Sequence, residues 1–223
     1  LAFKKGYLIV TYHSVSENLR DFNFNISSEL FIEHLKLYKE LFTFAPLKSV
    51  VEDLRAGVNI PNRVISITFD DAYSETMNSI DENLLKKNIP VTLFVCPLMA
   101  SDFCSYLNFD ELNAKDDPNL SIQSHGMHHL PLVGLINEDL KKELEMSRRE
   151  ISLKLARNIV YIAYPFGQTN STVSSMASKY YDAGFTNSMK YMDPSLYNIS
   201  RLDVGQKHMS LKKLCITLLL TRF

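Results

Sequence analysis

Residues 63–97 read RVISITFDDAYSETMNSIDENLLKKNIPVTLFVCP, and this stretch decides the fold class. RVISITF (63–69) gathers Val64, Ile65, Ile67, Thr68 and Phe69, the β-branched and aromatic side chains of a buried strand. SETMNSIDENLLKKN (74–88) has the period of a helix that must close before Pro90. VTLFVCP (91–97) is a second apolar run of strand length. Strand, helix and strand in this order make a right-handed crossover between parallel neighbours. Between the first strand and the helix stand two adjacent acids, Asp70 and Asp71. Burial penalises each charge and each repels the other. Either they are solvated caps of the following helix, or something positive compensates them.

The same alternation extends in both directions. GYLIVTYHSV (6–15) reads as a strand. SSELFIEHLKLYKELF (27–42) reads as a helix capped at Ser27 or Ser28, with Phe31, Leu35, Tyr38 and Phe42 on one face. LKSVVEDLRAG (47–57) is a short helix ended by Gly57. Downstream, NLSIQSH (119–125) is a strand, residues 137–156 a charge-laced helix, and IVYIAYPF (159–166) a strand. NSTVSSMASKYYDAG (170–184) reads as a helix stopped by Gly184, followed by a short strand FTNSM. SRLDVG is a last strand and SLKKLCITLLL (210–220) a last helix. The pattern predicts a distorted (β/α) barrel of about seven parallel strands, with residues 1–223 as a single catalytic domain. In such barrels chemistry gathers at the strand C-termini. His13, the Asp pair, SHGMHH (124–129), YPFG (164–167) and RLDVG (201–205) all fall there. A simple helix cap does not predict that convergence.

Composition narrows the partners. Lys+Arg (24) balances Asp+Glu (25), so no basic surface points to nucleic acid. No apolar run approaches the ~20 residues of a membrane helix. LCITLLL (214–220) comes nearest and reads as a buried terminal helix. Cys96, Cys104 and Cys215 form no CxxC pattern, which predicts buried free thiols and leans towards a reducing compartment. No signal peptide is visible, but the chain begins at Leu1, so a processed or trimmed start stays open, as do a cytoplasmic and a cell-envelope location.

SHGMHHLPL (124–132) holds three of the six histidines. A lone histidine is usually structural, whereas three in five residues at a strand end suggest ligation. If the segment turns helically, His125 and His129 share a face at i and i+4, with His128 off that line. Two neutral imidazoles and a carboxylate from either Asp suit a catalytic divalent metal.

TFDDAY (68–73), SHGMHH and AYPFG (163–167), in this order, resemble the motifs of the polysaccharide deacetylase (NodB-homology) family. YHSVS, LLKKNIPVTLFV and ISRLDVG agree with its flanking pattern, so the likeness runs from His13 to Gly205. The resemblance implies an N-deacetylase of an amino-sugar saccharide, with zinc or another divalent metal held by Asp71, His125 and His129. It implies Asp70 as general base, and His13 as general acid with His208 as the alternative. Tyr164, Pro165, Phe166, Gly167 and Arg201 would surround substrate and oxyanion, Tyr164 and Phe166 walling a sugar ring. Three positions depart from the family pattern: Ala72 for glycine, Gly126 for Ser/Thr, and Ala163 for arginine, where Arg201 is the candidate substitute. A deacylase of a small or lipid-linked saccharide precursor and a non-catalytic sugar-binding relative remain as alternatives.

Overall fold

The computed structural model describes residues 6–17, 24–58, 63–102, 105–187, 195–205 and 209–220. Cys104 and His208 lie outside the described residues. The strands are β1 (Tyr7–Tyr12), β2 (Ser14–Val15), β3 (Asn25–Ile26), β4 (Thr43–Phe44), β5 (Val64–Asp70), β6 (Val91–Val95), β7 (Leu120–Ser124), β8 (Tyr161–Ala163), β9 (Ala183–Thr186), β10 (Ile199–Ser200) and β11 (Leu202–Asp203). The helices are α1 (Ser28–Leu41), α2 (Leu47–Ala56), α3 (Met77–Asn83), α4 (Pro97–Asp102), α5 (Phe109–Asn113), α6 (Asn137–Leu155), α7 (Ser171–Ala177) and α8 (Leu211–Leu220).

The main sheet is parallel and runs β10-β9-β8-β7-β6-β5-β1-β11, with β4 attached to β5. β10 and β11 are halves of one extended segment, interrupted only at Arg201. The first half pairs with β9 (Ile199 opposite Phe185) and the second with β1 (Leu202 opposite Val10). Arg201 N–H donates to Thr186 O at 2.8 Å, and Val204 N–H to Thr11 O at 3.1 Å. Residues 199–203 therefore join both ends of the ladder, and the sheet nearly closes as a barrel with helices around it. All of β6 is buried, as expected where both faces of a strand are covered.

α1 buries Phe31, His34, Leu35 and Tyr38, and the Ser27 hydroxyl accepts from Leu30 N–H at 3.2 Å. Tyr12 stacks on Phe69 at 5.4 Å and meets Phe31 edge-on at 5.0 Å. Together these contacts cement β1, β5 and α1.

Some expectations needed correction. The helix read over 74–88 is three pieces: a 3-10 turn at Ser74–Thr76, α3, and a second 3-10 turn at Leu85–Lys87 that ends on left-handed Asn88. α7 ends at Ala177, and Gly184 is not its stop but lies inside β9. A Cβ at Gly184 would sit 2.2 Å from the Tyr164 hydroxyl oxygen, so glycine is there to admit that ring. Strand β8 is only Tyr161–Ala163, because Pro165–Gly167 forms a 3-10 turn. α4 and α5 fill a segment where no element was expected, although the Asn108–Glu111 capping box of α5 was there to be read.

Candidate active site

β5 ends at Asp70, and the next two residues, Asp71 (φ 70°) and Ala72 (φ 59°), are left-handed. The carboxylates therefore diverge because the backbone turns, not because of strand pleating. Ala72 keeps the left-handed turn without a glycine, at a cost of about 1–2 kcal/mol.

Asp70 is buried and gripped from the far end of the chain. Arg201 donates from Nη1 to Oδ1 and from Nη2 to Oδ2, both at 2.7 Å. The guanidinium also reaches Thr68 Oγ1 (3.2 Å) and Asn187 Oδ1 (2.8 Å), and lies over the Phe94 ring. Burial pushes the Asp70 carboxyl up, but the Arg201 charge and then His125 outweigh it, holding Asp70 well below the usual carboxylate range. Arg201 has no solvent-exposed side-chain surface, so it is the guanidinium partner of Asp70 and not a substrate contact. His13, just after β1, places Nε2 4.0 Å from Asp70 Oδ2. Its ring rests on Phe24 at 4.8 Å, and its buried Nδ1 has no hydrogen-bond partner.

After β7 the chain does not turn helically. Gly126 (φ 77°) and His129 (φ 53°) are left-handed, and this loop, not an i,i+4 helical face, brings the His125 and His129 rings to 5.0 Å. His125 Nδ1 lies 2.8 Å from Ala163 O. That carbonyl can only accept, so Nδ1 carries the hydrogen and Nε2 is left as a lone pair facing Asp71. Burial lowers the His125 pKa further, favouring the neutral ring. Asp71 Oδ1 lies 3.1 Å from His129 Nε2 and 3.5 Å from His125 Nε2. Neither approach has hydrogen-bond geometry, and Oδ1 is buried without a hydrogen-bond partner. Ligand atoms of the three residues lie within 4.8 Å of one another. A buried carboxylate oxygen aimed with two imidazole nitrogens at a common point fits a divalent cation. His128 turns away to Glu143.

In YPFG, Phe166 (φ 60°) is 56% exposed and its ring lies 4.9 Å from that of His129. Pro165 is buried against Gly126. Gly167 (φ 65°) closes the turn, its N–H donating to Tyr164 O at 2.9 Å. Tyr164 is fully buried and hydrogen-bonds Tyr197 O at 2.9 Å. It therefore cannot wall a sugar: its ring faces the core, and Phe166 alone of the pair faces outward.

Sequence reasoning missed Asn187, Glu143 and Ser147. Glu143 sat unnoticed in a charge-laced helix. The signal was its place among Leu140, Leu144, Ser147, Ile151 and Leu155, the buried face of α6.

The fold and the rim define a class: a parallel α/β barrel with paired carboxylates and a metal-capable Asp-His-His set at its strand C-termini. Residues 57–185 match the family model described as polysaccharide deacetylase, and the chain belongs to that family. It is 24% identical over 201 residues to Bacillus subtilis YxkH, which carries the polysaccharide deacetylase name, covering 88% of this chain and 71% of YxkH. The Streptococcus pyogenes deacetylase PplD, solved in complex with acetate, superposes with a TM-score of 0.79 at 21% identity, over 95% of this chain and 97% of PplD. IcaB from Ammonifex degensii gives 0.79 at 16% identity, over 96% and 97%. At these identities the two structures establish the shared fold. Family membership supports hydrolytic deacetylation of a polysaccharide.

Proposed function

We infer that residues 1–223 form one catalytic domain, a metal-dependent hydrolase that removes N-acetyl groups from an amino-sugar saccharide. The observation that carries this reading is the orphaned Asp71 Oδ1, converging with His125 and His129 beside Asp70 and His13. A divalent cation, zinc first, held by Asp71, His125 and His129, would supply Lewis-acid polarisation of the acetyl carbonyl and a more acidic water.

The chain's own residues do the rest. Asp70 accepts the proton of the attacking water, and each of its oxygens keeps a lone pair beyond its bond to Arg201. Arg201 keeps Asp70 anionic throughout the working pH range and makes it a weak base, so its contribution rests on position more than on basicity. His13 gives a proton to the leaving amine from Nε2, 4.0 Å from Asp70. His208 lies outside the described residues, so the geometry that supports an acid is that of His13. The exposed Phe166 ring would offer a stacking face to the sugar, and its backbone N–H, within the Pro165–Gly167 turn, would steady the developing oxyanion.

The test is acetate release from N-acetylhexosamine oligomers, with metal titration, on Asp70→Asn and Asp71→Asn. Asp70→Asn should bind metal normally and lose roughly 10²–10⁴-fold in kcat. Asp71→Asn should lose metal affinity and recover some activity in excess metal. Equal metal loss in both variants, or full activity in Asp70→Asn, refutes the assignment. A wild-type protein that binds the oligomers without releasing acetate would instead be a sugar-binding relative.

A further inference from the structure

α6 presents two polar side chains to the loop that carries His125 and His129. Glu143, 4% exposed, and Ser147, fully buried, are one turn apart on its apolar face. Glu143 Oε2 accepts from Met127 N–H at 3.0 Å and His128 N–H at 3.1 Å, and Oε1 is bonded by His128 Nδ1. Ser147 Oγ donates to Gly126 O at 2.9 Å and lies 2.6 Å from Ser124 Oγ. From the opposite side, Leu98 N–H and Cys96 Sγ reach Met127 O, and His125 N–H donates to Val95 O.

A carboxylate on an apolar helix face is costly unless it is well bonded, and here its bonds go to the backbone between the two histidines. Gly126 itself offers no hydroxyl to brace the loop. A Cβ there would press on Pro165 Cγ at 3.2 Å and touch Glu143 Oε2 at 3.6 Å, and the left-handed backbone (φ 77°) disfavours any side chain at this position.

We propose that Glu143, seconded by Ser147, is a positioning residue: it clamps the backbone of residues 126–128 so that the His125 and His129 rings converge on Asp71. This rests on the metal-site reading above. Glutamine keeps an oxygen for both N–H groups, whereas leucine keeps the volume and removes the acceptor.

The experiment is cobalt(II) titration, followed by visible absorption, of wild type, Glu143→Gln, Glu143→Leu, Ser147→Ala and the control His129→Ala. Amide exchange of the metal-free proteins is measured alongside. Glu143→Leu should weaken cobalt binding about 10–100-fold and Glu143→Gln by no more than about threefold. In metal-free Glu143→Leu, the Met127 and His128 amides should exchange at least about tenfold faster while that of Leu144 holds. The unchanged Leu144 amide separates local release of the loop from global destabilisation, and a loss of cobalt affinity that glutamine restores is what a merely structural role would not produce. Unchanged cobalt affinity or unchanged exchange in Glu143→Leu overturns the proposal, as does Glu143→Gln falling as far as Glu143→Leu. If Glu143→Leu does not fold, Ser147→Ala carries the same prediction at several-fold and overturns it if unchanged. Failure of wild type to bind cobalt better than His129→Ala would sink the metal reading, and the exchange data would still decide the clamp.

Discussion

Arg201→Met removes the guanidinium that holds both oxygens of Asp70 at 2.7 Å and keeps much of the buried volume. Both side chains are nearly devoid of solvent, 0% and 1% exposed, so water cannot take over the lost bonds. Asn187 Oδ1 and Thr68 Oγ1 lose a donor as well. Removing one partner of a buried pair costs about 3–5 kcal/mol. For a chain of this size that is roughly 6–20 °C in Tm. In the wild type the Asp70 pKa is depressed, so its contribution is present above the unfolded value and fades as pH falls through the folded one. Without Arg201 the burial contribution, which raises the pKa, is opposed only by the nearby histidines. The unfolded chain then ionises Asp70 more readily than the folded one does, and the variant loses ground as pH rises. The gap to wild type should therefore already be open at pH 4, where the wild-type ion pair is intact, and widen further towards pH 8. Urea denaturation at both pH values, with Asp70→Asn and the double variant completing a cycle, reads the effect. The double variant should be more stable at pH 8 than Arg201→Met alone, because no uncompensated charge remains. A gap below about 1 kcal/mol at pH 8, or one that does not vary with pH, would refute the reasoning.

His34 is buried between the Tyr12 hydroxyl and Met209 O, each 3.1 Å from a ring nitrogen, and burial lowers its pKa from 6.5 to about 4. The unfolded chain takes up the proton first, so stability should fall by about 3 kcal/mol as pH drops from 6.5 to 4, and His34→Leu should flatten that limb of a urea-unfolding pH series. Gly184→Ala drives a Cβ to 2.2 Å from the Tyr164 hydroxyl and should cost about 1–3 kcal/mol or more, measured by thermal unfolding. Phe166→Ala removes the exposed ring beside His129 and should raise KM for a saccharide several-fold, with cobalt affinity unchanged in titration.

The local order of elements was legible because helix and strand periods are written in near neighbours. β5, β6 and β7 fall almost where their apolar runs lie, and α1 buries the stripe that its spacing marks. Asp70, Asp71, His125 and His129 were legible as candidates because their chemistry is unusual at strand ends. What joins them was not, beyond Arg201 as the candidate substitute for the missing arginine. Arg201 meets Asp70 across 131 residues, and only the pairing of residues 199–203 with both β9 and β1 brings it there. The two histidines converge through left-handed backbone at Gly126 and His129, which an i,i+4 helical reading mistakes for a helix. Tyr164 looked like a sugar wall in the motif, yet the gap left by Gly184 draws it into the core. Glu143 was one unmarked charge in a charge-laced helix until packing turned its face inward. The sequence by itself determined which residues carry local propensity and reactive chemistry, because those depend on side-chain type and near neighbours. Tertiary structure decided who meets whom, because strand register and barrel closure set distances between residues that share no local signal.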